Sequence, residues 1–88
     1  MSWECRLSRS AAKALRQVPP PYRAKLLRAI DELAQDPLSG DVRPIKSDRF
    51  KGTLRKSMGR YRIVFSLDPK NKVVEIASLL VRGERTYR

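Results

Sequence analysis

The 88-residue chain has no histidine, so it lacks both the side chain that most often serves as a general base near neutral pH and the commonest metal ligand. Its single cysteine, Cys5, cannot close an internal disulfide, and with only scattered carboxylates beside it no recognisable metal site results. Any chemistry is therefore expected to run without a metal or other cofactor. No stretch resembles a secretory signal or an uninterrupted membrane span, and no repeat or linker suggests a second unit. The expectation is one small domain, residues 1–88, in a reducing cytoplasm and off the membrane. Acidic residues are also scarce. Nine Asp and Glu stand against 20 Lys and Arg, a net charge of +11 that exceeds what solubility requires and points to a polyanionic or acidic partner.

The hydrophobic pattern divides the chain into elements. "SWECRL" alternates Trp3, Cys5 and Leu7 with Ser2, Glu4 and Arg6, the period of a half-buried strand, which makes Cys5 a core residue rather than a reactive thiol. Ser8 or Ser10 can cap a helix that carries Ala11, Ala14, Leu15 and Val18 on one face. "PPP" at Pro19 to Pro21 ends that helix and can begin another, with Tyr22, Leu26, Ala29, Ile30 and Leu33 on its apolar side. From Gly52 the pattern becomes that of strands: "GTLRKS", "RYRIVFSL", a turn at "DPKNK" in which Asn71 tolerates positive φ, and "VVEIASLLV". The order β-α-α-β-β-β predicts an α+β domain, a helical hairpin packed on one face of a small, mainly antiparallel twisted sheet. Residues 36–51 read as one long loop.

The positive charge is local. Between Arg43 and Arg62 lie eight cations, Arg43, Lys46, Arg49, Lys51, Arg55, Lys56, Arg60 and Arg62, opposed only by Asp48. In "RYRIVF", Tyr61, Ile63 and Phe65 share one face and Arg60, Arg62 and Val64 the other, with Leu54 joining the apolar set across the hairpin. A tight turn at Met58 and Gly59 pairs Leu54 with Ile63 and sets Arg55 directly beside Arg62. Like charges opposed on a sheet cost up to about 1 kcal/mol. A phosphate shared by two guanidinium forks offsets that cost, whereas side chains splayed into water are the purely structural alternative.

The run "R-x-x-x-G-x-Y-R-I-x-F" from Arg55 to Phe65 and the C-terminal "VRGERTYR" resemble the RelE/ParE toxin superfamily of type II toxin-antitoxin modules, over nearly the whole chain. The resemblance to its RelE branch implies a ribosome-dependent endoribonuclease that cuts mRNA without metal, the RNA's own 2′-hydroxyl acting as nucleophile. It implies that Arg55 and Arg62 hold the scissile phosphate. It also implies that Arg82 stabilises the transition state or leaving group, with Arg85 as its alternative, and that Tyr87 acts as base or stacks on a nucleobase. Glu84 is another candidate base, and a stacked C-terminal aromatic is the bland reading of Tyr87. Lys46, Arg49, Lys51, Lys56, Arg60 and Arg85 are the expected RNA- and phosphate-binding cations. Thr53 and Ser57 stand where ribosome-dependent members often carry further cations. Two alternatives remain: a ParE-like non-enzymatic toxin directed at DNA gyrase, and a binding-only member with a decayed nuclease site. All three imply a cognate antitoxin.

Overall fold

The computed structural model describes residues 2–45 and 52–81. Strand β1 (Glu4–Leu7) is followed by helices α1 (Arg9–Gln17) and α2 (Pro20–Gln35), then by β2 (Val42–Pro44), β3 (Leu54–Met58), β4 (Tyr61–Asp68) and β5 (Val73–Val81). The strands form one sheet in the order β1-β5-β4-β3-β2, antiparallel except for the parallel β1-β5 pair. Both helices lie on one face, as the apolar periodicities require. Leu26, Leu33, Ile63, Phe65, Val74 and Ile76 are fully buried between the layers.

Local chemistry accounts for most boundaries. Ser8 caps α1 by accepting from the Ala11 amide, and its hydroxyl donates to the Ala77 carbonyl at 2.7 Å. Ala77 is the extra residue of a bulge, since Phe65 pairs with Ile76 while Val64 pairs with Ser78. The bulge shifts the alternation of β5, so that Val74 and Ile76 before it and Leu79 and Val81 after it all meet the helices. α2 opens on Pro20, which needs no amide partner in the first turn. In the β4-β5 turn the positive φ falls on Lys72 rather than Asn71. Asn71 instead donates to Asp68 from both backbone and side chain and holds that carboxyl below its usual pKa.

Two expectations about the sheet change. The region read as one long loop contains the three-residue strand β2, too short to show alternation by itself. It forms because β3 offers a free edge: the Ser57 amide donates to the Asp41 carbonyl and the Ile45 amide to the Thr53 carbonyl, on either side of the β2-β3 pairs. The β3-β4 turn lies at Gly59 and Arg60 rather than Met58 and Gly59, with Gly59 at φ 59° in the first central position, where a two-residue hairpin loop calls for glycine. Leu54 consequently pairs with Phe65, Arg55 with Val64, Ser57 with Arg62, and Met58 with Tyr61. Alternation constrains only parity. Both registers keep Leu54 on the core face, and the observed one also brings Met58 there.

Lys56 occupies that same face. Its side chain is 4% exposed, and its ammonium donates to Glu32 Oε1 at 2.9 Å and to the Ser39 carbonyl at 3.4 Å. The pair ties β3 to the end of α2 and to the chain leading into β2. At Gly40, φ 76° requires the freedom of glycine, and an added Cβ would stand 3.4 Å from the Lys56 ammonium. Glu32 is more than half exposed, so the cost of desolvation falls mainly on Lys56.

Two outcomes follow from this packing. Glu32→Ala leaves the enclosed ammonium with only a carbonyl partner and should lower unfolding free energy by about 2 kcal/mol in urea titration. Lys56→Met keeps the stem without the charge and should cost less; an equal or greater loss would refute this account of the pair. Cys5 donates weakly to the Ile30 carbonyl at 3.5 Å, and burial, followed by the Asp31 charge, raises its thiol pKa. At pH 8 it should therefore react with a disulfide reagent more slowly in the native chain than in urea, because less of it is thiolate.

Candidate functional site

The sheet face turned away from the helices carries the arginines. Across β2, β3, β4 and β5 one row reads Arg43, Arg55, Val64, Ser78, and the next reads Ser57, Arg62, Leu80. Arg43 stands directly opposite Arg55. Arg62 lies diagonally from Arg55, two residues along the strand, still within reach of two long side chains. Val64 is buried although it lies outside the main core cluster, and half-buried Leu80 neighbours Arg62. The guanidiniums are therefore set around a small apolar floor on two central strands and one edge strand. Such a floor excludes water beneath the charges and strengthens their attraction for an anion.

The opposite end of this face has a different character. Glu4, Asp68 and Glu75 share it with Arg6 and Ser66. Arg6 donates to Glu4 at 2.7 Å, a contact that raises the guanidinium pKa, with smaller contributions from Glu75 and Asp68. Among the described residues of this face, the unopposed cations thus lie on the β2-β3-β4 side, while carboxylates predominate on the other. A polyanion is attracted to one half of the sheet and repelled from the rest.

The structure separates the predicted site residues. Arg55 and Arg62 share the open face as expected, in diagonal rather than direct apposition. Lys56 leaves the proposed phosphate surface: alternation turns it to the helix side, where its ammonium is enclosed by Glu32 and Ser39. Arg60 is exposed in the β3-β4 turn and borders a hollow of about 390 Å³ with Val18, Pro19, Leu79 and Val81, on the helix side of the sheet end. That position sets it apart from Arg55 and Arg62. Lys46, Arg49, Lys51, Arg82, Arg85 and Tyr87, with the candidate base Glu84, lie outside the described residues.

Arg43 is the residue that sequence reasoning left out of the site. It was legible as part of the basic run but carried no strand pattern, and only the β2-β3 pairing brings it to Arg55. With Pro44, Ile45 and Arg55 it lines a cleft of about 590 Å³. Its Nε donates to Asp41 Oδ1 at 3.3 Å, and both partners are largely exposed.

Two helices on one face of a five-stranded mixed sheet, with a cationic patch on the other, define a small α+β class shared with solved RelE-type toxins. The chain superposes on a chain of the RelBE2 toxin-antitoxin complex from Mycobacterium tuberculosis with a TM-score of 0.83, at 23% identity over 93% of this chain and 100% of that one. It matches the RelE-RelB complex from Pyrococcus horikoshii with a TM-score of 0.81, at 27% identity over 96% and 99%. The YoeB/ParE toxin from Agrobacterium tumefaciens gives a TM-score of 0.75, at 14% identity over 90% and 98%. No curated protein sequence matches the chain. Residues 5–86 match the family described as the ParE toxin of type II toxin-antitoxin system, parDE. The chain therefore belongs to the RelE/ParE superfamily and is a toxin of a type II toxin-antitoxin module.

The unlike roles of the two neighbouring cations of β3 can be tested directly. Arg55→Gln should weaken retention on a polyanionic resin and leave the urea midpoint nearly unchanged. Lys56→Gln should shift the midpoint with less effect on retention, because a buried charge contributes little to an outer surface field.

Proposed function

We propose that this toxin is a ribosome-dependent mRNA endoribonuclease that acts without a metal. The observation that carries the reading is the open-face grouping of Arg43, Arg55 and Arg62 around an apolar floor, on strands whose geometry the helix layer fixes from behind. An RNA substrate supplies its own nucleophile. The 2′-oxygen attacks the adjacent phosphorus, the P–O5′ bond breaks, and the products are a 2′,3′-cyclic phosphate and a 5′-hydroxyl. The protein's tasks are in-line orientation, stabilisation of charge on the phosphoryl oxygens, and movement of two protons.

The second task is assigned to Arg55 and Arg62. Guanidinium remains charged at every relevant pH and binds phosphoryl oxygens in bidentate fashion, so it stabilises developing charge but is a poor proton shuttle. By the family resemblance Tyr87 is the candidate base, with the Glu84 carboxylate as the alternative near it in sequence; Arg82 or Arg85 stabilises charge on the leaving 5′-oxygen, which takes its proton from water. A phenol needs neighbouring cations to bring its pKa down from about 10 before it can act as base.

A cognate antitoxin is the proposed protein partner. The RelBE2 structure is described as a toxin-antitoxin complex and the Pyrococcus horikoshii one as a RelE-RelB complex, and this chain shares their fold. An acidic segment suits the arginine face, and apolar side chains suit the hollow beside Val18, Leu79 and Val81. The family description names ParE, which favours a second reading, a non-enzymatic toxin acting on DNA gyrase.

Inducible expression with mapping of cellular RNA 5′ ends, alongside a gyrase supercoiling assay, separates the two. Codon-phased cuts in translated messages are expected, whereas gyrase inhibition with intact RNA would overturn the nuclease reading. On programmed ribosomes Arg62→Ala should slow single-turnover cleavage by at least about 100-fold, the scale of one lost oxyanion donor. A change of only a few-fold would remove Arg62 from the phosphate.

A further inference from the structure

We infer that the cleft formed by Arg43, Pro44, Ile45 and Arg55 is a nucleotide subsite, taking the phosphate and base of a single-stranded RNA residue that flanks the scissile phosphate. The inference rests on the ribonuclease reading, and it adds a binding position that sequence reasoning did not assign.

Arg43 and Arg55 are paired residue for residue on adjacent antiparallel strands, about 5 Å apart at the backbone. An edge strand could place any polar residue here, and two facing arginines repel one another, a cost that a bound anion would offset. Asp41 engages Arg43 through Nε, which restrains the guanidinium and leaves the terminal nitrogens as the fork for a phosphate. The Asp41 carboxylate also places a negative charge nearby, so the subsite attracts a single phosphate less strongly than two unaccompanied arginines would. That suits a position that binds and releases a flanking nucleotide rather than one that stabilises a transition state.

Ile45, two residues on from Arg43 and so on the same side of the chain, gives the cleft an apolar wall, and its volume of about 590 Å³ falls in the ordinary range for a small ligand. Pro44 donates no amide to the ladder, as an edge strand permits, and pairs with Leu54 on the helix side of the sheet, so the apolar wall on the arginine side falls to Ile45. The charge distribution sets the direction. A strand passing Arg62 and Arg55 meets another cation toward β2, whereas the β1 end of the open face presents Glu4, Asp68 and Glu75. RNA therefore crosses β4 and β3 and leaves over the β2 edge. An acidic antitoxin segment is the other polymer that could seat here; paired guanidinium forks suit the phosphate of RNA better than a single carboxylate, and the peptide is an outcome of the test.

The test is the salt dependence of binding of a short single-stranded RNA to the intact toxin, followed by fluorescence anisotropy. Wild type is compared with Arg43→Ala, Arg43→Lys, and Lys13→Ala on the exposed side of α1 as a control for net charge. Loss of one phosphate contact in Arg43→Ala should reduce the slope of log affinity against log salt by about 0.7. Arg43→Lys should recover the slope but not the full affinity, because an ammonium lacks the fork, and Lys13→Ala should match wild type. In the cleavage assay the loss should fall mainly on the half-saturating RNA concentration rather than on the saturated rate. If Arg43→Ala keeps wild-type slope and affinity while wild type cuts RNA, the subsite is overturned and the nuclease reading stands. If RNA binding depends on Arg43 but wild type cuts nothing on ribosomes, the subsite stands and the nuclease reading falls. If Arg43→Ala weakens binding of a polyglutamate peptide and leaves RNA binding unchanged, the cleft belongs to a protein partner and the inference is overturned.

Discussion

One-sided cover of the sheet is the constraint on which the rest of this structure depends. α1 and α2 lie against a single face, so each residue of β3 and β4 is committed by parity either to the core or to the open surface. Leu54, Met58, Tyr61, Ile63 and Phe65 supply the apolar side, and Arg55, Ser57 and Arg62 project the other way. A strongly basic segment can therefore form the interior of a sheet without placing its charges in the core. The core in turn holds the strand backbones that carry the guanidiniums, which gives the charged face its rigidity.

Lys56 is the exception to this segregation, and its placement shows how an exception is accommodated. A cation on the apolar face is tolerable only with a carboxylate and a further acceptor within hydrogen-bond distance, and α2 and the chain following it supply Glu32 and the Ser39 carbonyl. The same contact draws the 36–41 segment against β3 and so fixes where β2 begins. Arg43 reaches Arg55 because that segment is held. An ion pair with its ammonium buried on one face thus helps to set where exposed charges stand on the other.

The functional conclusion rests on the same division of faces. Arg43, Arg55 and Arg62 form a patch bounded by carboxylates at the far end of the sheet, which favours a narrow phosphate-bearing strand over a broad electrostatic surface. The superfamily contains both RelE- and ParE-named members of closely similar architecture, so fold does not choose between RNA and gyrase as target. The proposal of RNA as the target rests instead on the arginines set over an apolar floor on the open face.

Sequence by itself determined what depends on local pattern: the element order apart from β2, a serine cap at the start of the first helix, the proline start of the second helix, and the separation of Arg55 and Arg62 from Leu54, Tyr61, Ile63 and Phe65. These follow from helical and strand periods and from the preferences of individual caps and turns, all of which act within a few residues. Tertiary structure decided what depends on partners distant along the chain. The β3-β4 register settled at Gly59 and Arg60 because alternation cannot distinguish pairings of equal parity, and the turn geometry with Met58 against Tyr61 selects among them. β2 exists because β3 presents an edge to a segment too short to show a strand pattern. Lys56 left the expected phosphate surface because Glu32, 24 residues away, could enclose its charge, and Arg43 joined that surface because its cross-strand neighbour is Arg55.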